Sequence, residues 1–162
     1  RVLFRSQTKP NNGDLLERMR IDSSGRMTLP YQPTSCVYNL TGTINTGSES
    51  TWVVAKFQNS TVNRGSAYDS STGLFTCPVA GVYFVSCFFL CRSNAAHNIT
   101  IYKNGTGIGP TARDITPSGE QNTGVQAYVD CAANDTLGIY VSNGSSGDYY
   151  SAYNYCLFSL FG

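Results

Sequence analysis

The run Val82-Tyr83-Phe84-Val85-Ser86-Cys87-Phe88-Phe89-Leu90-Cys91 most narrows what this chain can fold into. Its β-branched and aromatic residues make it a strand. Both alternating faces are apolar: Val82, Phe84, Phe88 and Leu90 on one, Tyr83, Val85, Cys87, Phe89 and Cys91 on the other. An antiparallel sandwich has only one core side per sheet, so the second face of such a strand must be covered from outside. The run 152–161 has the same character, with Tyr153, Tyr155, Leu157 and Phe161 opposing Cys156, Phe158 and Leu160. A subunit interface is the economical cover, which makes Tyr83, Phe89, Tyr153 and Tyr155 candidate interface residues.

The rest of the chain is β in kind. Ser, Thr, Asn and Gly are abundant, Lys and Glu are scarce, and short strand-like runs recur between turns at about 36–40, 51–58, 74–79, 82–91, 98–103, 124–131, 136–142 and 152–161. That cadence predicts a sandwich or jelly roll. With 162 residues the chain can bury a proper core. Eleven Lys and Arg against ten Asp and Glu leave no basic excess for nucleic acid, and no apolar run is long enough for a membrane helix.

Residues 1–33 read differently, as a neck. Val2 and Phe4 form a short strand, Ser6 to Asp14 a polar loop, and Met19 and Ile21 alternate against polar neighbours as Met27 and Leu29 do after the turn Asp22-Ser23-Ser24-Gly25. A lone hairpin is marginal, so its apolar side needs other copies of the chain, and Met19, Ile21 and Met27 join the interface candidates. Pro30 and Pro33 mark the boundary with a head at 34–162.

Catalytic chemistry is not visible. His97 is the only His and sits at the start of a strand in a turn-like polar setting, no nucleophile elbow or metal-ligand His cluster occurs, and Gly105-Thr106-Gly107-Ile108-Gly109 reads as a hairpin loop rather than a phosphate loop. Cys87 and Cys91 are about 13 Å apart on one strand, too far to bond each other or share a zinc. The six Cys read as small core residues. The expectation is a non-enzyme without a metal or cofactor; Asp130, Asp135 and Asp148 could supply oxygen ligands to calcium, but nothing in their spacing demands it. The loop 142–155 interleaves Tyr with Ser, Gly and Asn, the mixture paratopes use, so Asp148, Tyr149 and Tyr150 are the candidate recognition residues.

The stretch from Lys56-Phe57-Gln58-Asn59 through Asn63-Arg64-Gly65, Tyr68-Asp69, Thr72-Gly73-Leu74-Phe75-Thr76-Cys77-Pro78-Val79-Ala80-Gly81-Val82-Tyr83-Phe84 resembles the globular head of complement subcomponent q, within the tumour-necrosis-factor-like superfamily. Ile99-Thr100-Ile101-Tyr102-Lys103-Asn104-Gly105 continues the likeness, which covers about 35–161. Asn134-Asp135 departs from it, standing where the family has Gly-Asp. The resemblance implies a ten-stranded jelly roll that assembles as a homotrimer.

The neck segment Leu16-Glu17-Arg18-Met19-Arg20-Ile21-Asp22-Ser23-Ser24-Gly25 is similar to one common in tailed-bacteriophage tail fibres, which are trimers too. Together the two resemblances imply a virion protein, made in the bacterial cytoplasm: the distal head of a tail fibre, continuing an upstream shaft and contacting a bacterial surface glycan or protein. Two alternatives stand beside it, a trimerisation cap or decoration domain with no receptor, and a secreted complement-q-like ligand.

Overall fold

Strand follows strand because aromatic and β-branched residues alternate with Ser, Thr and Asn; among the described residues the single helical turn is a 3₁₀ turn at Arg64–Ser66. The computed structural model describes residues 2–9, 13–39, 44–45, 51–92, 96–115, 120–143, 149–150 and 154–160. The chain divides into two units, Arg1–Gln32 and Pro33–Gly162.

In the first unit, β1 (Val2–Thr8), β2 (Leu16–Asp22) and β3 (Met27–Thr28) form one antiparallel sheet in that order. Asp22 makes the turn between β2 and β3. Its Oδ1 accepts the Ser24 and Arg26 N–H groups at 2.8 and 3.1 Å, and Gly25 supplies the left-handed φ of 76°. β1 is longer than the sequence suggests: Ser6, Gln7 and Thr8 pair with Met19, Glu17 and Leu16 instead of opening a loop. Their polar side chains hid a strand that is held by backbone hydrogen bonds.

The second unit contains β4 (Thr34–Asn39), β5 (Ile44–Asn45), β6 (Val53–Val54), β7 (Asn59–Asn63), β8 (Tyr68–Asp69), β9 (Leu74–Thr76), β10 (Gly81–Arg92), β11 (Ala96–Lys103), β12 (Thr106–Ile115), β13 (Glu120–Cys131), β14 (Thr136–Asn143), β15 (Tyr149–Tyr150) and β16 (Asn154–Leu160). A seven-stranded sheet runs β5-β15-β10-β16-β4-β7 with β13 also on β10; a six-stranded sheet runs β12-β11-β14-β9-β8 with β6 also on β14. The described residues therefore exceed the ten strands of the family pattern, because two-residue pairings such as β5, β6, β8 and β15 count as strands here.

The core lies between these sheets. Val37, Tyr83, Val85, Cys87, Phe89, Cys156 and Phe158 come from the first, and Phe75, Ile99, Ile101, Leu137, Ile139 and Val141 from the second, all fully buried. Phe75 stacks on Phe158 with centroids 5.2 Å apart and planes 9° from parallel, so one ring pair joins the sheets. Cys77, Cys87, Cys131 and Cys156 are buried free thiols, and burial pushes each of those at Cys77, Cys131 and Cys156 up.

Two local expectations are corrected. His97 stands at the start of a strand, β11, as expected, but it is fully buried and not in a polar, turn-like setting. Only Asn104-Gly105 is the turn before β12, with φ of 50° and 77°, and Thr106-Gly107-Ile108-Gly109 already lies in β12 rather than in a loop.

Candidate functional site

Strand parity builds the site. Because Tyr83, Val85, Cys87 and Phe89 of β10 point into the core, the even residues Val82, Phe84, Ser86, Phe88 and Leu90 take the opposite face of the sheet. Register across β13, β10, β16 and β4 then aligns three rows. Gly124, Phe88, Tyr155 and Tyr38 make one; Gln126, Ser86, Leu157 and Cys36 the next; Tyr128, Phe84, Ser159 and Thr34 the third.

Each outer row carries an aromatic pair and the middle row has a polar centre. Phe88 and Tyr155 approach to 5.5 Å between centroids, and Phe84 and Tyr128 to 5.1 Å, as cross-strand pairs. Tyr128 is 62% exposed, Tyr155 49% and Val82 39%. Between the rows Gln126 Nε2 donates to Ser86 Oγ at 3.1 Å, which satisfies a hydroxyl buried beneath it. With the Thr34 and Ser159 hydroxyls 3.2 Å apart, this is a largely apolar surface whose polar groups pair internally, suited to docking rather than to chemistry.

The sequence candidates fall in several places. Tyr155 lies on this face. Tyr83 and Phe89 do not: both are fully buried inside the sandwich, where Tyr83 Oη donates to the Val79 carbonyl at 2.8 Å and Phe89 packs 5.8 Å from Phe57, so neither side chain is offered to a neighbour. Burial raises the Tyr83 hydroxyl to about 12. Half-buried Phe84 and Phe88 and exposed Tyr128 take their place on the outer face. Ser86 was the available signal, since it interrupts the even face while the odd face is apolar throughout.

In the neck, Phe4, Ile21 and Met27 stand opposite one another across the three strands, with Met27 62% and Phe4 48% exposed, and Met19 faces Ser6. Tyr149 and Tyr150 form β15, with Tyr149 opposite Asn45 and Tyr150 between Ile44 and Cys91. Asp148 and Tyr153 lie outside the described residues.

Asp135 is occupied by its own chain. Lys103 Nζ stands 3.0 Å from its Oδ2, Asn104 Nδ2 donates to its Oδ1 at 2.8 Å, and the Ala132 N–H donates to Oδ2 at 2.8 Å. The Asn104 hydrogen bond, with those from Lys103 and Ala132, lowers this carboxyl to about 2. Lys103 also donates to the Asp130 carbonyl at 2.8 Å. Among the described residues no group of three or more His, Cys, Asp or Glu is placed to hold a metal ion. The Asn134 that departs from the family pattern has a φ of 71°, the left-handed conformation a glycine would take.

The C1q domain family model matches residues 39–161. Among solved structures, the globular domain of zebrafish complement 1qA is similar at 17% identity, with 78% of this chain and 93% of that chain covered and a TM-score of 0.58. Murine APRIL at pH 8.0 is similar at 10% identity, covering 79% and 99%, also with a TM-score of 0.58. The two-sheet topology is thus the one these proteins share, and by the match over 39–161 the chain belongs to the C1q domain family.

Proposed function

We propose that this chain is the trimeric, non-enzymatic head of a phage tail fibre, which follows an upstream shaft and attaches the virion to a bacterial surface glycan or protein. The outer aromatic face carries the reading: half-buried Phe84 and Phe88 beside exposed Tyr128 and Tyr155 make rows of rings poorly suited to water and well suited to a second copy. The resemblance of Glu17-Arg18-Met19-Arg20-Ile21-Asp22 to fibre segments supports the virion context, and the open Phe4–Ile21–Met27 row supports a second contact between copies. Three heads on one fibre would act by avidity, each weak contact becoming intramolecular after the first.

Light scattering after size exclusion tests the assembly, with a trimer expected at three times the 17.6 kDa chain mass. A soluble monomer at the chain mass would overturn it. For attachment, Tyr149→Ala with Tyr150→Ala should weaken phage adsorption while the trimer persists; unchanged adsorption would remove this segment from the site.

A second reading has its own observation. Tyr149 and Tyr150 are paired with β5 and β10 at backbone level, as a strand that serves the sheet itself would be. On that reading the head registers three fibre chains and binds no receptor, and purified head would fail to compete with phage for host cells.

A further inference from the structure

Phe57, Gln58, Asn59, Ser60, Asn63, Tyr68 and Ser70 line a shallow, open cleft of about 80 Å³ in the head. The lining contains no charged side chain, and hydroxyls and carboxamides outnumber the single Phe. Its backbone is held rigidly. Asn63 Oδ1 accepts from Ser35 Oγ at 2.7 Å and from the Tyr68 N–H at 3.0 Å, while Asn63 Nδ2 donates to the Tyr68 carbonyl at 2.9 Å. On the other wall Asn39 Oδ1 accepts the Gln58 N–H at 2.8 Å, and Asn39 Nδ2 donates to the Lys56 carbonyl at 3.0 Å. Asp69 Oδ1 accepts both the N–H and the Oγ–H of Ser71, which fixes the segment that carries Ser70.

These contacts use the groups that shape the cleft and leave others over. Gln58, Ser60 and Ser70 are exposed on that fixed backbone. Tyr68 is 5% exposed, and its Oη accepts the Phe57 N–H at 2.9 Å; its own O–H hydrogen has no acceptor among the described residues. A buried donor of this kind, beside amides and hydroxyls that both donate and accept, matches a ligand whose groups also do both.

We propose that this cleft binds one edge of a neutral sugar ring through hydrogen bonds with Gln58, Ser60, Ser70 and the Tyr68 hydroxyl. Neighbouring hydroxyls on a pyranose each offer a donor and an acceptor, and the uncharged lining gives no counter-ion to an acidic sugar. The volume is well below the roughly 300 Å³ at which enclosing ligand pockets begin, so the cleft is shallow and takes one edge of a single ring, not an oligosaccharide. The cleft is pre-organised, so binding orders little chain. The inference goes beyond the attachment reading and does not rest on it.

The test titrates the full ¹⁵N-labelled chain with the methyl glycosides of glucose, galactose, mannose and N-acetylglucosamine, and with methyl glucuronoside as the acidic control. At least one neutral glycoside should give saturable amide shifts at Gln58, Asn59, Ser60 and Ser70, with a Kd of about 1 mM to within tenfold. Gln58→Ala and Ser70→Ala should each weaken it about 3- to 10-fold, as expected for one lost hydrogen bond, with the remaining spectrum unchanged. Absence of saturable shifts with all four neutral glycosides, shifts confined to other residues, or tighter binding of the glucuronoside would each overturn the proposal.

Discussion

Phe88 lies across the backbone of Gly124, its direct partner in the β10–β13 register. A Cβ built on Gly124 would stand 2.5 Å from Phe88 Cδ1 and 2.6 Å from the Cys87 carbonyl oxygen, so the ring occupies the place a side chain would take. One atom of side chain at 124 must therefore displace both the ring and its strand. Gly124→Ala should cost about 1–3 kcal/mol in denaturant unfolding, the range for overpacking a fitted site. Unchanged stability would mean that Phe88 does not rest there.

Core and interface roles on β10 and its neighbours separate by substitution. Phe89→Ala should cost about 3–5 kcal/mol of fold stability, because the fully buried ring leaves a cavity. Tyr128→Ala and Tyr155→Ala remove half-exposed rings and should leave the fold intact while shifting the mass in light scattering toward the single chain. The opposite pattern would return Phe89 to the interface.

At Asn134 the backbone conformation sets the prediction. With φ at 71°, Asn134→Gly should leave stability within about 0.5 kcal/mol, whereas Asn134→Val should cost about 1–2 kcal/mol because a β-branched residue resists the left-handed region. Thermal unfolding of the two variants beside the parent checks this. Equal costs would show that side-chain contacts of Asn134 matter more than its φ.

Asp135 predicts an acid-range dependence. Its folded carboxyl titrates at about 2 instead of 3.8, so its contribution is complete above about pH 4 and is lost as the pH falls toward 2. The parent should accordingly lose stability across that window relative to Asp135→Asn, which cannot titrate there. Parallel pH curves for the two proteins would show that the clasp of Lys103, Asn104 and Asp135 is not linked to folding.

Much of this architecture can be read from residues alone. Alternation identifies β4, β10, β11, β14 and β16, Asp22 to Gly25 announces its turn, and the run from Phe57 to Phe84 carries the family. β7 and β12 are not legible in that way. They are the outermost strands of their sheets, rich in Ser, Thr, Asn and Gly, and are held by backbone pairing to β4 and β11 rather than by a hydrophobic period.

The amino-acid sequence by itself determined that β10 has two apolar faces and that one of them needs a cover from outside. It could not determine which, because a period of two is the same read from either side when both sides are apolar. Only the packing of two sheets decided it: Phe75 stacks on Phe158 and meets Tyr83 at 5.7 Å, which turns the odd residues of β10 inward. Phe84 and Phe88 are thereby left outside beside Tyr128 and Tyr155, residues distant in the chain that become neighbours only when the strands pair.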